Sequence, residues 1–212
     1  MYHLVCFDLD DTLFDCKTAK INYCKRLLSD NNIKPDFPID WDRIAEMERK
    51  KICRFLLSEF PFRDFTISSL LRDFESRLHE FINIDPALHH LLAAITRDSH
   101  VAITSNGSGA FQRKKLASLK INRWISGVFI SGETGCKKPD KAFFETVLNR
   151  SDCKPEEAII IGDDPDTDMA GGINAGLDTC WISRKRCYPR DLPQPDYIVE
   201  DIDGLSTVLN LS

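Results

Sequence analysis

The sequence lacks any long hydrophobic run. No stretch approaches the roughly 18 apolar residues that a membrane-spanning helix needs. The first residues, 1–8, contain no basic start, and their apolar run soon meets a carboxylate at Asp8, which is not typical of a signal peptide. The sequence therefore favours a cytoplasmic protein without a membrane partner.

Paired cysteines and clustered basic residues are also scarce. The eight cysteines include no C-x-x-C pair, which argues against the common zinc and redox-dithiol motifs and favours reduced, mostly buried thiols. A net charge of −5 argues against a nucleic-acid polymer as partner, because phosphate-backbone binding needs clustered Lys and Arg. We interpret the one basic cluster, at residues 184–190, as a solvated loop.

From about residue 85 onward, short apolar runs alternate with segments of helical length. Including one run at the N-terminus, the predicted strands are 4–9, 101–105, 128–130, 158–162, 179–182 and 197–199. The predicted helices between them are 86–97, 109–119, 139–149 and 168–175. This alternation predicts an α/β fold with a doubly wound, Rossmann-like parallel sheet, in which ligands bind beyond the carboxyl ends of the strands.

Residues 15–84 interrupt the alternation. They offer no convincing strand but carry apolar stripes at helical spacing, namely Trp41, Ile44, Ala45, Ile52, Phe55 and Leu56, and then Ile67, Leu70, Leu71, Phe74, Leu78 and Phe81. We interpret both stripes as the core of a helical bundle. The sequence thus predicts an all-helical domain at 15–84, inserted into a catalytic core formed by 1–14 and 85–212.

Two acidic clusters follow predicted strands, one at residues 8–11 and one at 163–168. Crowded carboxylates raise one another's pKa, and a cation that prefers oxygen ligands, such as Mg²⁺, would relieve the repulsion. In a parallel sheet both clusters would lie at the same edge. The alternative for the second cluster is helix N-capping by Asp166 or Thr167.

Two weaker signals lie between the acidic clusters. Ser105 and Asn106 follow a predicted strand, where the amides of the turn could face an anion, although this is also an ordinary turn sequence. Pro139 is expected at the first position of a helix, which places the ammonium of Lys138 beside the helix N-terminus.

Taken in order, these segments resemble the four motifs of the haloacid dehalogenase superfamily. The motifs are Asp-x-Asp-x-Thr at 8–12, the serine at 105, Lys-Pro at 138–139 and Gly-Asp-x-x-x-x-Asp at 162–168. A helical cap inserted after the first motif is similar to the phosphoglycolate-phosphatase-like and 5′-nucleotidase-like branch.

The resemblance implies a magnesium-dependent phosphatase that acts on a small phosphate monoester. It assigns Asp8 as the nucleophile, Asp10 as the general acid and base, and Lys138 as the cation that neutralises both the nucleophile and the phosphate. The phosphate-binding residues would be Thr12, Ser105, Asn106 and Lys138. The metal ligands would be Asp8, Asp10 through its backbone carbonyl, Asp163 and Asp168, whereas Asp164 departs from the Ser or Asn usual at its position.

Three alternatives remain. A dehalogenase of the same fold is disfavoured by Asp10, because displacing a halide needs no proton donor. A sugar phosphomutase would keep all four motifs, and a non-enzymatic binding protein could retain the fold. The resemblance assigns substrate choice to residues 15–84. Candidates for recognising the leaving group include Arg49, Phe60, Phe62 and Arg63. The favoured substrate is a nucleoside 5′-monophosphate.

Overall fold

A computed structural model describes residues 2–211, and its central element is one parallel sheet of six strands in the order β3-β2-β1-β4-β5-β6. The strands are β1 Leu4–Phe7, β2 His100–Ser105, β3 Gly127–Ile130, β4 Ala158–Gly162, β5 Asp178–Ile182 and β6 Tyr197–Val199. The α/β class and the parallel sheet predicted from the sequence are confirmed.

The first strand lies in the middle of the sheet. Leu4 pairs with His100 of β2 on one side and with Ala158 of β4 on the other. Every residue of β1 and β4 is buried, as expected for parallel strands whose two faces are both covered. The segments that follow β1, β2 and β4 therefore leave the sheet side by side at its carboxyl edge.

Six helices belong to the sheet-containing part of the chain within the residues that the structure describes. They are α5 Pro86–Ile95, α6 Gly109–Leu119, α7 Ser131–Thr134, α8 Lys141–Arg150, α9 Ala170–Ala175 and α10 Leu205–Val208. Short 3-10 turns cover Asn122–Trp124, Pro155–Glu157 and Ile202–Gly204, and a π turn covers Pro165–Met169.

The expected helix start at Pro139 is wrong. The Lys138–Pro139 peptide bond is cis, the Asp140 amide donates to the carbonyl of Lys137 at 2.8 Å, and α8 begins at Lys141. The helix expected from residue 168 likewise begins later, because Asp168 lies in the π turn that precedes α9.

The chain divides into two compact units, and the second comprises residues 15–83. Its helices are α1 Cys16–Asp30, α2 Trp41–Ala45, α3 Arg49–Glu59 and α4 Ile67–Arg77, followed by a 3-10 turn at Leu78–Phe81. Side chains of Asp15, Asp40 and Thr66 cap the N-termini of α1, α2 and α4.

Both apolar stripes contribute buried residues to the helical unit, among them Ile44, Ile52, Leu56, Leu70, Phe74 and Leu78. Ile67 departs from the interpretation as bundle core, because this first residue of α4 is 39% exposed. Within residues 2–211, none of the helices combines the length and the apolar character that crossing a bilayer requires.

Candidate active site

A buried lysine joins two carboxylates beyond the carboxyl edge of the sheet. Lys138 Nζ lies 2.6 Å from Asp8 Oδ1 and 2.6 Å from Asp168 Oδ1, and it donates to the carbonyl of Thr104 at 3.0 Å. Asp8 is the first residue after β1, and Asp168 follows β4. One ammonium therefore gathers the predicted nucleophile and a predicted metal ligand from distant parts of the chain.

The Asn106 side chain fixes the backbone of Lys138. Asn106 Nδ2 donates to the Lys138 carbonyl at 2.9 Å, and the Lys138 amide donates to Asn106 Oδ1 at 3.0 Å. These two bonds hold the segment before α8 against the turn after β2. The side-chain amide of Asn106 is engaged in these two bonds. We therefore propose that the phosphate contact predicted for this residue is made by its backbone amide.

Three carboxylates form a group suited to a divalent cation. Each of Asp8, Asp163 and Asp168 offers one oxygen, and these oxygens all lie within 4.8 Å of one another. Hard oxygen donors of this kind fit Mg²⁺. Lys138 binds one oxygen of Asp8, and Arg186 Nη2 lies 3.0 Å from Asp163 Oδ2, so each of these carboxylates has a second oxygen to offer.

The charges in this group are unbalanced. Burial raises the pKa of Asp8 to about 7, and the charges of Asp168 and Asp10 add to the rise while Lys138 opposes it. Burial, with Asp8 and Asp11, also raises the pKa of Asp163 to about 7, against the opposing Arg186. Burial lowers the pKa of Lys138, but the pull of Asp168 and Asp8 outweighs it and raises that pKa overall. Ionised, these carboxylates carry negative charge that a divalent cation would neutralise.

Asp164 provides the N-cap for which the sequence offered Asp166 or Thr167 as an alternative. Asp164 Oδ1 accepts from the amides of Asp166 at 2.8 Å and Thr167 at 3.1 Å. That alternative is therefore wrong in the residue that forms the cap. Asp164 lies next to Asp163 in sequence, yet its side chain stabilises the turn that carries Asp168, whose Oδ2 accepts from the Asp164 amide at 3.2 Å.

Ser105 and Thr12, both predicted to serve the phosphate, are buried. Ser105 Oγ accepts from Gln112 Nε2 at 2.6 Å. Thr12 Oγ1 is buried and finds no hydrogen-bond partner within residues 2–211. Arg184 supports the loop that carries Thr12, because its Nε donates to the Asp11 carbonyl at 2.6 Å.

The interpretation of residues 184–190 as a purely solvated loop is wrong for two arginines. Arg184 contacts the loop after β1, and Arg186 contacts both the carboxylate and, at 2.7 Å, the carbonyl of Asp163. The sequence contained a signal for these contacts, because the basic cluster follows a strand of the same sheet. A loop in that position lies at the carboxyl edge, beside the acidic clusters.

Two residues of α6 were also missed. Gln112 and Lys115 contact the carboxylate of Asp10, and both are buried on the helix face that carries Leu116 and Leu119. The detectable signal was a glutamine and a lysine on the face of α6 that otherwise carries apolar residues. A buried polar side chain in such a stripe needs a partner.

Comparison with known proteins places this arrangement in a family. The model of the haloacid dehalogenase-like hydrolases matches residues 5–182. The glyceraldehyde 3-phosphate phosphatase of Pyrococcus furiosus is 27% identical, covering 97% of this chain and 92% of its own. The pyrimidine 5′-nucleotidase PynA of Streptococcus pneumoniae is 28% identical, covering 99% and 95%.

Among solved structures, the magnesium-bound HAD-hydrolase YfnB from Bacillus subtilis superimposes with a TM-score of 0.83 at 26% identity, covering 99% of both chains. The family match covers most of the chain and agrees with the four motifs identified in the sequence. The chain therefore belongs to the haloacid dehalogenase-like hydrolase family.

Proposed function

We propose that this hydrolase is a magnesium-dependent phosphatase that cleaves a small phosphate monoester through an aspartyl-phosphate on Asp8. The observation that carries the proposal is the buried contact of Lys138 with Asp8 and Asp168, next to Asp163. A carboxylate held beside a buried ammonium is suited to attack a dianionic phosphate, because the cation offsets the repulsion between them.

The first half of the reaction transfers the phosphoryl group to the protein. An oxygen of Asp8 forms a bond to phosphorus while the bond from phosphorus to the leaving oxygen breaks. The Asp10 carboxyl gives its proton to that leaving oxygen, which departs as an alcohol. Lys138, Ser105 and the amides of the following turn would stabilise the negative charge on the transferring group.

The second half releases phosphate. The Asp10 carboxylate takes a proton from a water molecule as the water oxygen bonds to phosphorus, and the bond between Asp8 and phosphorus breaks. Inorganic phosphate leaves and Asp8 is again a carboxylate. Asp10 thus serves first as the general acid and then as the general base.

Magnesium would be held by carboxylate oxygens of Asp8, Asp163 and Asp168 and by the backbone carbonyl of Asp10. When bound, it would supply positive charge to the phosphoryl oxygens, a role that fits the excess of carboxylate in this group. The bound magnesium of the YfnB structure supports this choice of metal.

For the substrate we propose a nucleoside 5′-monophosphate. Support comes from the similarity to a pyrimidine 5′-nucleotidase over nearly the whole chain. A small phosphorylated sugar is the second candidate, because the glyceraldehyde 3-phosphate phosphatase is similar over an equally long stretch.

A panel of phosphate monoesters tests the proposal. Phosphate release would be measured from pyrimidine and purine nucleoside monophosphates, glyceraldehyde 3-phosphate and p-nitrophenyl phosphate, with Mg²⁺ and with a chelator. We expect Mg²⁺-dependent release that is lost in Asp8→Asn, with the highest kcat/KM for a pyrimidine nucleotide.

Two other outcomes would overturn parts of this proposal. Isomerisation of a sugar phosphate without release of phosphate would identify a phosphomutase. Absence of turnover on the whole panel, with ligand binding retained, would instead favour a binding protein.

A further inference from the structure

The predicted proton donor is held by two side chains of α6. Lys115 Nζ lies 2.8 Å from both Asp10 Oδ1 and Asp10 Oδ2, and Gln112 Nε2 lies 3.0 Å from Asp10 Oδ2. A carboxylate that receives donors on both oxygens is restricted in the rotation of its side chain.

Lys115 is placed at an energetic cost that the Asp10 contact offsets. Its side chain is only 4% exposed, whereas that of Asp10 is 31% exposed. Burying an ammonium is unfavourable unless it is paired, and Lys115 Nζ also lies 4.2 Å from the centroid of the Phe111 ring. A surface helix would ordinarily turn such a lysine toward solvent, as α6 does with the exposed Lys114.

Gln112 connects the proton donor with the phosphate-binding hydroxyl. The same Nε2 that contacts Asp10 lies 2.6 Å from Ser105 Oγ and 3.2 Å from the Asn106 carbonyl. The Asp10 carboxylate and the Asn106 carbonyl can only accept, which fixes the orientation of the amide. Because Ser105 Oγ accepts from Gln112, its own hydrogen can be donated to another acceptor, such as a phosphoryl oxygen.

We propose that Lys115 and Gln112 are positioning residues that hold the Asp10 carboxyl where it exchanges protons with the leaving oxygen and the attacking water. This inference rests on the proposed phosphatase function. Neither residue touches the reacting atoms. Lys115 acts through Asp10, whereas Gln112 also donates to the hydroxyl of Ser105. Loss of Lys115 therefore affects the steps that need proton transfer and leaves substrate binding unchanged.

The test compares Lys115→Met with the matched control Lys114→Met, which removes an exposed lysine from the same helix. For an alkyl phosphate, we expect the first-turnover rate of Lys115→Met to fall about tenfold to hundredfold, with KM unchanged within about threefold. For p-nitrophenyl phosphate, whose leaving group needs little protonation, the first-turnover release of p-nitrophenol should fall by less than about threefold. An equal fall for both substrates would overturn the inference.

A double-mutant cycle tests whether Lys115 acts through Asp10. In an Asp10→Asn background, Lys115→Met should cause little further loss, because the group that it positions has already been altered. Losses that multiply would overturn the inference. Lys115→Arg, which keeps the charge, should restore part of the alkyl phosphate rate. If circular dichroism shows that Lys115→Met is unfolded, Gln112→Met tests the second contact on Asp10. The readout is then the ratio of the alkyl phosphate rate to the p-nitrophenyl phosphate rate, because loss of the Ser105 bond affects both substrates alike.

The outcomes separate this inference from the proposed function. If the wild type releases no phosphate from any monoester, the proposed function fails. If the wild type is active, Asp8→Asn is inactive and Lys115→Met behaves like Lys114→Met on every substrate, the phosphatase function stands and the positioning role is wrong.

Discussion

At the scale of single residues, Lys138 combines a structural role with a proposed chemical one. Its ammonium is buried and contacts Asp8 and Asp168, so removing it would leave two carboxylates without their cation. Losing one partner of a buried ion pair typically costs about 3–5 kcal/mol. A loss of activity on substitution of Lys138 could therefore come from unfolding or from lost catalysis. Substitutions at Asp10 and Asp163 test the chemistry more directly.

We expect Asp10→Asn to be a slow enzyme that still accepts a phosphoryl group from p-nitrophenyl phosphate. An amide at this position removes proton transfer but leaves the Asp8 nucleophile intact, so the steps that need general acid–base help should slow by roughly 10²–10⁴-fold. Dephosphorylation should then limit turnover. Rapid-quench mass spectrometry should detect a phosphate-sized adduct on the peptide that contains Asp8, and an adduct on a different residue would contradict the mechanism.

We expect Asp163→Asn to weaken Mg²⁺ binding at least about tenfold, and Asp164→Asn to change it little. Asp163 belongs to the group of clustered carboxylates, whereas Asp164 caps the following turn, a role that asparagine also performs well. Isothermal titration with Mg²⁺ distinguishes the two variants without relying on turnover. Equal loss of affinity in both would mean that the metal ligand has been wrongly chosen.

The sequence predicts which residues end the strands but not which side chains reach them. Asp8 and Asp163 follow buried apolar runs, so their placement at one edge of a parallel sheet follows from the pattern alone. The contacts of Lys115 and Arg186 depend on the orientation of a helix and of a loop that have no motif of their own. Such contacts need three-dimensional packing to be seen.

At the scale of elements, the two ends of the helical unit differ in their distance from the point where the chain enters it. The chain enters at Asp15, at the N-terminal end of α1, where Lys20 Nζ donates to the carbonyl of Ala45, the last residue of α2. Residues 59–64 share a cavity of about 620 Å³ with the segment that follows α1, at Asn31 to Lys34. A helix of this length separates the two ends by about 22 Å.

The chain runs from the segment that carries Asp8 and Asp10 directly into the end of the unit where α1 begins. We therefore expect Met47→Ala to change the ranking of substrates, whereas Arg63→Ala, at a residue that the sequence offered as a candidate for substrate choice, leaves it unaltered. Met47 lies at the end of the unit where the chain enters, and its carbonyl is 3.4 Å from Lys20 Nζ, whereas Arg63 lines the cavity at the opposite end. The measurement is relative kcat/KM across nucleotide and sugar phosphates for both variants. A changed ranking in Arg63→Ala alone would show that the residues that recognise the leaving group lie at the end of the unit that carries Arg63.

Element boundaries were predictable only where hydrophobic patterning marks them. Strand β4 matches its apolar run, because a buried strand needs a continuous apolar segment. Strand β6 also matches its run, although Tyr197 and Ile198 are exposed at the edge of the sheet. The start of α8 was not predictable from Pro139, since Asn106 binds the preceding residue on both its amide and its carbonyl and the backbone turns at 137–140 before the helix begins. This tertiary contact overrides the usual preference of proline for the first helical turn.

At the scale of the whole molecule, the buried carboxylates connect stability to pH. The pKa values of Asp8 and Asp163, about 7 in the folded protein, lie above the ordinary value of 3.8. The folded state therefore binds more protons than the unfolded state between these values. Without metal, its stability should fall as the pH rises through this window.

We expect the rise in Tm caused by Mg²⁺ to be larger at about pH 8 than at about pH 5.5. Mg²⁺ binds the ionised carboxylates and must displace protons at the lower pH, which should weaken its binding at least about tenfold. Thermal unfolding with and without Mg²⁺ at the two pH values measures the effect, and Asp163→Asn should reduce the difference. A Tm shift that is the same at both pH values would contradict the expectation.

The central position of β1 has a consequence for how the protein is made. Strand β1 leaves the ribosome before β4, with which it pairs, so the pairing of Leu4 in the sheet is complete only after Ala158 has been synthesised. Pairings between distant segments form late, because closing a long loop costs conformational entropy. Asp8 therefore acquires Lys138 and Asp168 as neighbours only after most of the chain has been synthesised. A nascent chain that ends before β4 would contain Asp8 but neither Asp163 nor Asp168, so the proposed chemistry would begin only once synthesis has passed these residues.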